Sequence, residues 1–163
     1  MDLNSNNFSK TKKLTVSAMI IALYVCIMYL TQSFSFGAYQ IRIATALYAL
    51  AYCFPFLILP LGFANFLSNT LFGGLGPIDM LGGFLVGLLT SFLVYLIRHF
   101  HLPQWLVAIP VTLIPGLCIP IYLSGLLNVP YPFLAGSLCI GQIIPGIVGA
   151  LFVKWMQHHQ KEV

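Results

Sequence analysis

Charge is what this chain has least of. Of its 163 residues, three are acidic and seven are basic, 6% together, while 60% are hydrophobic. Mean hydropathy is +0.96. A soluble domain carries about 25% charged residues because it must present a hydrated surface. So few charged side chains cannot clothe a folded body of this size in water, which excludes an ordinary soluble domain. A bilayer removes that requirement, since most of the outer surface then faces hydrocarbon. The formal charge of +4 is therefore a matter of where basic residues sit relative to the membrane, not a nucleic-acid signal.

Other absences exclude whole classes of chemistry. The three acids, two of them near the termini, leave no candidate pair for two-carboxylate catalysis. There is no nucleotide-binding loop and no HExxH, and no GxSxG. The cysteines Cys26, Cys53, Cys118 and Cys139 show no CxxC spacing, and each lies in an apolar run, where cysteine acts as a small hydrophobe. No apolar run alternates with period two as membrane-barrel strands do, and open sheet edges cannot sit in lipid. No small-residue cleavage site follows the first apolar run, so it reads as a retained helix rather than a secretory leader.

What remains is a succession of apolar segments separated by turn residues. Helices are expected over 14–32, 41–54, 56–72, 78–98, 104–127 and 133–157. Pro55, the GGLGP stretch before Ile78, the HFHLP stretch before Gln104 and the NVPYP stretch before Phe133 mark breaks. Pro110, Pro115 and Pro120 interrupt the fifth segment. The expected fold is all-α, an integral-membrane six-helix bundle. Residues 14–157 form its one domain, residues 1–13 a leading cytoplasmic segment and residues 158–163 a cytoplasmic tail. Lys10, Lys12, Lys13, Arg98, Lys154 and Lys161 then share one face, with Arg42 alone on the other. The bias of Lys and Arg toward the cytoplasm makes that shared face cytoplasmic, with both termini on it. His99, His101, His158 and His159 fall on the same side and read as a solvated basic face.

Polar residues inside the apolar segments are few. Arg42 and Asp79 are the interior charges, and a charge at a helix centre costs about 2.5–3.5 kcal/mol on insertion scales. They either snorkel and pair structurally or form an outward-opening ligand site. Gln40 precedes Arg42. Asn65 and Asn69 share one helical face, and Gln142 interrupts the sixth apolar segment. An amide in hydrocarbon needs a partner, so these imply interhelical hydrogen bonds or a ligand cavity. Phe34, Phe36, Tyr39, Tyr131 and Phe133 make either an interfacial aromatic belt or stacking surfaces for a planar ligand. Small residues at helical spacing, Ala18 and Ala22, Gly83 and Gly87, and Gly141, Gly146 and Gly149, allow close helix approach. Ala18 and Ala22 lie where a cytoplasmic-side helical partner could dock.

These residues resemble a known family. The stretch FGAYQIRIATAL over 36–47 is similar to the QxRxxEAL signature of the QueT family, substrate-binding S components of energy-coupling factor (ECF) vitamin transporters. The likeness continues through GFANFLSN over 62–69 and the Gly-rich turn, Asp and small-residue helix over 73–93. The AxxxA of Ala18 and Ala22 looks like the S-component contact for the transmembrane coupling subunit. The sequence departs from the family pattern at Thr45, where the signature has an acid, at Gln142, where a GE pair is usual, and at Pro115-Gly116, where an Asn is usual.

The resemblance implies uptake of a queuosine precursor, a 7-deazaguanine, or a related base or nucleoside. Its partners would be the ECF transmembrane coupling subunit and two cytoplasmic ATPases, in the cell membrane. ATP would be hydrolysed by those subunits, with no cofactor in this chain. In such a site Asp79 would accept two donors. Gln40, Asn65, Asn69 and Gln142 would serve as donors and acceptors, and Arg42 would meet the carbonyl. Phe36 and Tyr39 would cover the ring. Other readings stay open: an S component for another vitamin-like small molecule, a self-sufficient ion-coupled carrier, an intramembrane enzyme built on Cys and His, and a purely structural membrane subunit.

Overall fold

In hydrocarbon no water is present to bond peptide groups, so the chain satisfies its backbone within helices. The computed structural model describes residues 8–35, 40–73 and 75–161. Helix α1 (Lys10–Leu30) starts at Ser9, whose side chain accepts from the Lys12 amide at 3.2 Å. A single turn, α2 (Gln32–Ser35), follows. Helix α3 (Ile58–Ser68) is entered through a 3-10 turn, Pro55–Leu57, and left through a π-helical turn, Asn69–Gly73. Helix α4 (Pro77–His99) has its proline at the first helical position, after Gly76 at φ 91°, a conformation that glycine adopts without penalty. Helix α5 (Ala108–Leu127) follows the 3-10 turn Gln104–Val107, and α6 runs over Tyr131–Lys161.

Among the described residues, five helical stretches are long and apolar enough to cross a membrane. The second segment differs from the α-helix expected over 41–54. Residues Ile43–Tyr52 form a ten-residue 3-10 helix, an unusual length for that geometry. Eight of its residues are buried, and it touches α1, α3, α4, α5 and α6. Its alanines explain how it can sit there. With three residues per turn, side chains at i and i+3 eclipse, and Ala46 and Ala49 present such a ridge to α6. A Cβ placed on Gly149 of α6 would lie 3.0 Å from Ala49 Cβ and 3.1 Å from the Ala46 carbonyl oxygen. Protein rather than lipid surrounds this backbone, the condition under which departures from the α-helix are tolerated at membrane depth.

As a 3-10 helix, ten residues extend ~20 Å against ~15 Å for an α-helix. A hydrocarbon core is ~30 Å thick. An arginine side chain is bonded at each end of the segment. At its start, Arg42 reaches toward α3. At its end, the Arg98 Nη1 donates to the Tyr52 and Cys53 carbonyls, at 2.9 Å each. Arg98 therefore caps the 3-10 helix as well as ending α4, a role its place among the basic residues of one face did not suggest.

Pro115 and Pro120 lie inside α5, which continues through both, so they do not break the fifth segment as expected. Pro110 falls in its first turn, where a missing N–H costs little. Helix α6 packs closely along α5: a Cβ on Gly116 would come within 2.5 Å of Cys139 Sγ and 3.0 Å of Cys139 Cα. Such close seams matter because lipid is as apolar as leucine and supplies no drive for helices to associate.

Candidate functional site

The start of the 3-10 helix, the end of α3, the start of α4 and the middle of α6 meet in one buried polar cluster. Gln40, Arg42, Asn65, Asn69, Asp79 and Gln142 are each at most 7% exposed, which rules out snorkelling to the interface. Six of the eight residues predicted to bind ligand are thus buried polar side chains. The other two, Phe36 and Tyr39, lie outside the described residues. Tyr131 and Phe133 are exposed and lie outside the polar cluster; Tyr131 donates to the Leu117 carbonyl.

Arg42 organises one side. Its Nη1 donates to Asn65 Oδ1 at 3.3 Å and Asn69 Oδ1 at 3.1 Å, and its Nε to the Ser35 carbonyl at 3.4 Å. The two asparagines turn their amide nitrogens the other way. Asn65 Nδ2 donates to the Gly83 carbonyl at 2.8 Å, and Asn69 Nδ2 to the Asp79 carbonyl at 3.0 Å and Asp79 Oδ1 at 3.3 Å. Asn69 therefore bonds both charged residues, and a cation and an anion buried near one another offset each other's desolvation. The π turn begins at Asn69, consistent with the tendency of π-helical turns to occur at functional sites.

Gln142 closes the other side. Its Nε2 donates to the Gln40 carbonyl at 2.9 Å, and its Oε1 accepts from Thr45 Oγ1 at 2.8 Å. The Thr45 hydroxyl also lies 2.6 Å from the Arg42 carbonyl oxygen, so its one proton serves two acceptors. Thr112 of α5 donates to the Gln142 carbonyl at 3.1 Å.

Two buried acceptors in this cluster have no hydrogen-bond partner: Asp79 Oδ2 and Gln40 Oε1. A buried polar atom left unpaired costs about 1–3 kcal/mol. Here the unpaired atoms are a carboxylate oxygen and an amide oxygen, both able to receive N–H or O–H donors from a bound molecule.

Sequence reasoning overlooked Tyr122 of α5, whose hydroxyl donates to Asp79 Oδ1 at 3.4 Å. One tyrosine in an apolar helix carries no sign that distinguishes it from a lipid-facing aromatic. Ala18 and Ala22 take no part in the cluster. Both are exposed on α1, away from the buried Tyr24 and Met28 by which that helix is held.

The family model for QueT transporters matches residues 14–158. The chain belongs to the QueT transporter family. No curated protein and no solved structure matches it. Membership of QueT, together with five long apolar helices, makes this a multi-pass membrane protein of a transporter family. Thr45 and Gln142, two of the positions that the sequence reading singled out as departing from the family signature, meet in a single hydrogen bond.

Proposed function

We propose that this QueT protein is the S component of an ECF-type importer, the subunit that captures a deazaguanine-like base or nucleoside from outside the cell. The observation that carries the reading is the pair of unpartnered, buried acceptors, Asp79 Oδ2 and Gln40 Oε1, beside Arg42. A deazapurine supplies the complement: N–H donors for the two acceptors and a carbonyl for a guanidinium. Site residues are Gln40, Arg42, Asn65, Asn69, Asp79 and Gln142, with Phe36 and Tyr39 over the ring. Residues 14–157 act as one six-segment membrane unit, with 1–13 and 158–163 in the cytoplasm.

Transport follows from what the chain lacks as much as from what it has. It carries no Walker A motif with which to hydrolyse ATP. The energy would come from two cytoplasmic ATPases acting through a membrane coupling subunit, which docks on Ala18 and Ala22 and reorients the loaded protein so that ligand leaves inside. The test is a binding titration of the purified protein with deazaguanines, their nucleosides and vitamins. Saturable binding of a deazaguanine or its nucleoside is expected. No saturable binding across that set would refute the proposal.

A further inference from the structure

The Asp79 carboxylate is held from two sides, and both protein donors go to the same oxygen. Asn69 Nδ2 reaches Oδ1 from the π turn after α3, and the Tyr122 hydroxyl reaches it from α5. Each carboxylate oxygen has about two lone-pair sites. Oδ1 is therefore filled by protein, while Oδ2 is buried and unpartnered.

The glycine pair one turn along α4 makes this possible. A Cβ on Gly82 would lie 2.5 Å from Tyr122 Cε1 and 2.7 Å from its Cζ. A Cβ on Gly83 would lie 2.5 Å from Asn69 Nδ2 and 3.2 Å from Asn65 Oδ1. Gly82 thus admits the tyrosine ring from α5, and Gly83 admits Asn65 from α3 and Asn69 from the π turn after it. Successive glycines open clearances on two sides of α4, and through each a donor reaches Asp79 Oδ1. The carboxylate is pinned by one oxygen and presents the other.

We infer that Tyr122 is a positioning residue for ligand recognition. With Asn69 it holds Asp79 so that Oδ2 accepts a single amino group of the ligand, rather than both carboxylate oxygens sharing a two-point edge. This rests on the proposed deazaguanine reading and deepens it. The ligand class is a planar heterocycle bearing an exocyclic amine, and discrimination for that amine depends on a residue that does not itself contact it.

Two probes differing only in that amine test the assignment: 7-deazaguanine and 7-deazahypoxanthine, titrated into purified wild-type, Tyr122→Phe and Gly82→Ala proteins. Thermal unfolding of each variant is followed in the same detergent. Wild type is expected to prefer 7-deazaguanine by about tenfold or more, the worth of one hydrogen bond to a charged acceptor. Tyr122→Phe should lose about tenfold for 7-deazaguanine and little for 7-deazahypoxanthine, collapsing the ratio. Gly82→Ala, which displaces the ring without deleting the hydroxyl, should collapse it too. A role in packing alone would weaken both probes equally or neither, and either pattern overturns the inference while leaving the transport reading intact. Equal wild-type affinity for the two probes overturns the amine assignment. Wild type binding neither probe sinks both this inference and the reading beneath it.

Discussion

Thr45 and Gln142, 97 residues apart in sequence, are hydrogen-bonded to each other at 2.8 Å, hydroxyl to amide oxygen. Both ends of the Gln142 amide are engaged: Oε1 accepts from Thr45, and Nε2 donates to the Gln40 carbonyl. That division of roles pins the 3-10 helix and its leading residues to α6 from both sides. It also shows why a neutral pair suits this chain. An ionised carboxylate at 142 has acceptors only, and one of its oxygens would face the Gln40 carbonyl oxygen.

Gln142→Glu is therefore expected to destabilise the protein by about 2–3 kcal/mol, the cost of a lost donor and an acceptor facing an acceptor. A lowered unfolding midpoint in detergent, with Thr45→Ser close to wild type, is the expected pattern. Wild-type stability of Gln142→Glu would mean that this bond does not organise the site.

At Arg42, the shape of the guanidinium is used as well as its charge. One guanidinium nitrogen serves two asparagine oxygens, while Nε serves the Ser35 carbonyl. A lysine keeps the charge and loses the fork. Arg42→Lys is expected to weaken ligand binding by about tenfold or more, and Arg42→Ala to cost about 3–5 kcal/mol of stability by stripping a buried network of its cation. Titration and thermal unfolding measure the two effects separately. Unchanged affinity in a folded Arg42→Lys protein would remove Arg42 from the site.

Much of this cluster was legible from the chain because polarity in an apolar run is conspicuous. Arg42, Asp79, Asn65, Asn69 and Gln142 each stood out against hydrocarbon-forming neighbours, and they lie in one buried region. Thr45 was visible only as a departure from a family pattern, since threonine is unremarkable in a helix. Tyr122 was invisible for the same reason. The 3-10 helix could not be told from an α-helix over ten residues. The two repeats diverge by about 20° per residue, but every residue of Ile43–Tyr52 except Thr45 is hydrophobic, so no polar face reveals the period, and the choice is made by tertiary packing of Ala46 and Ala49 on α6. The prolines of α5 misled because their cost depends on neighbours that a single chain does not display.

The far end of the 3-10 helix offers an independent test. Arg98 satisfies the Tyr52 and Cys53 carbonyls, which close this short helix. Arg98→Met keeps the apolar stem and removes both bonds. It is expected to cost about 2–3 kcal/mol, since hydrogen bonds to a charged donor are worth about 1.5–3 kcal/mol. Faster amide exchange across Ile43–Tyr52 should accompany the loss. Unaltered exchange there would show that the helix holds its shape without the arginine.

The outer face of α1 makes the last prediction separable from all of these. Tyr24 and Met28 are the buried residues of that helix, and the Tyr24 hydroxyl meets the Tyr48 hydroxyl at 3.1 Å. Ala18 and Ala22 are exposed and lie one turn apart on one face of the helix. Because both positions are exposed, Ala18→Leu and Ala22→Leu should fold and bind ligand as wild type does. A partner helix that relies on those small residues for close approach would be held off by the added side chain. Co-purification with the coupling subunit and ATPases, and uptake into cells, should then both fall by about tenfold or more, the scale of one badly placed side chain in a tight interface. If assembly and uptake survive both leucines, the coupling subunit docks elsewhere, and the exposed alanines face only lipid.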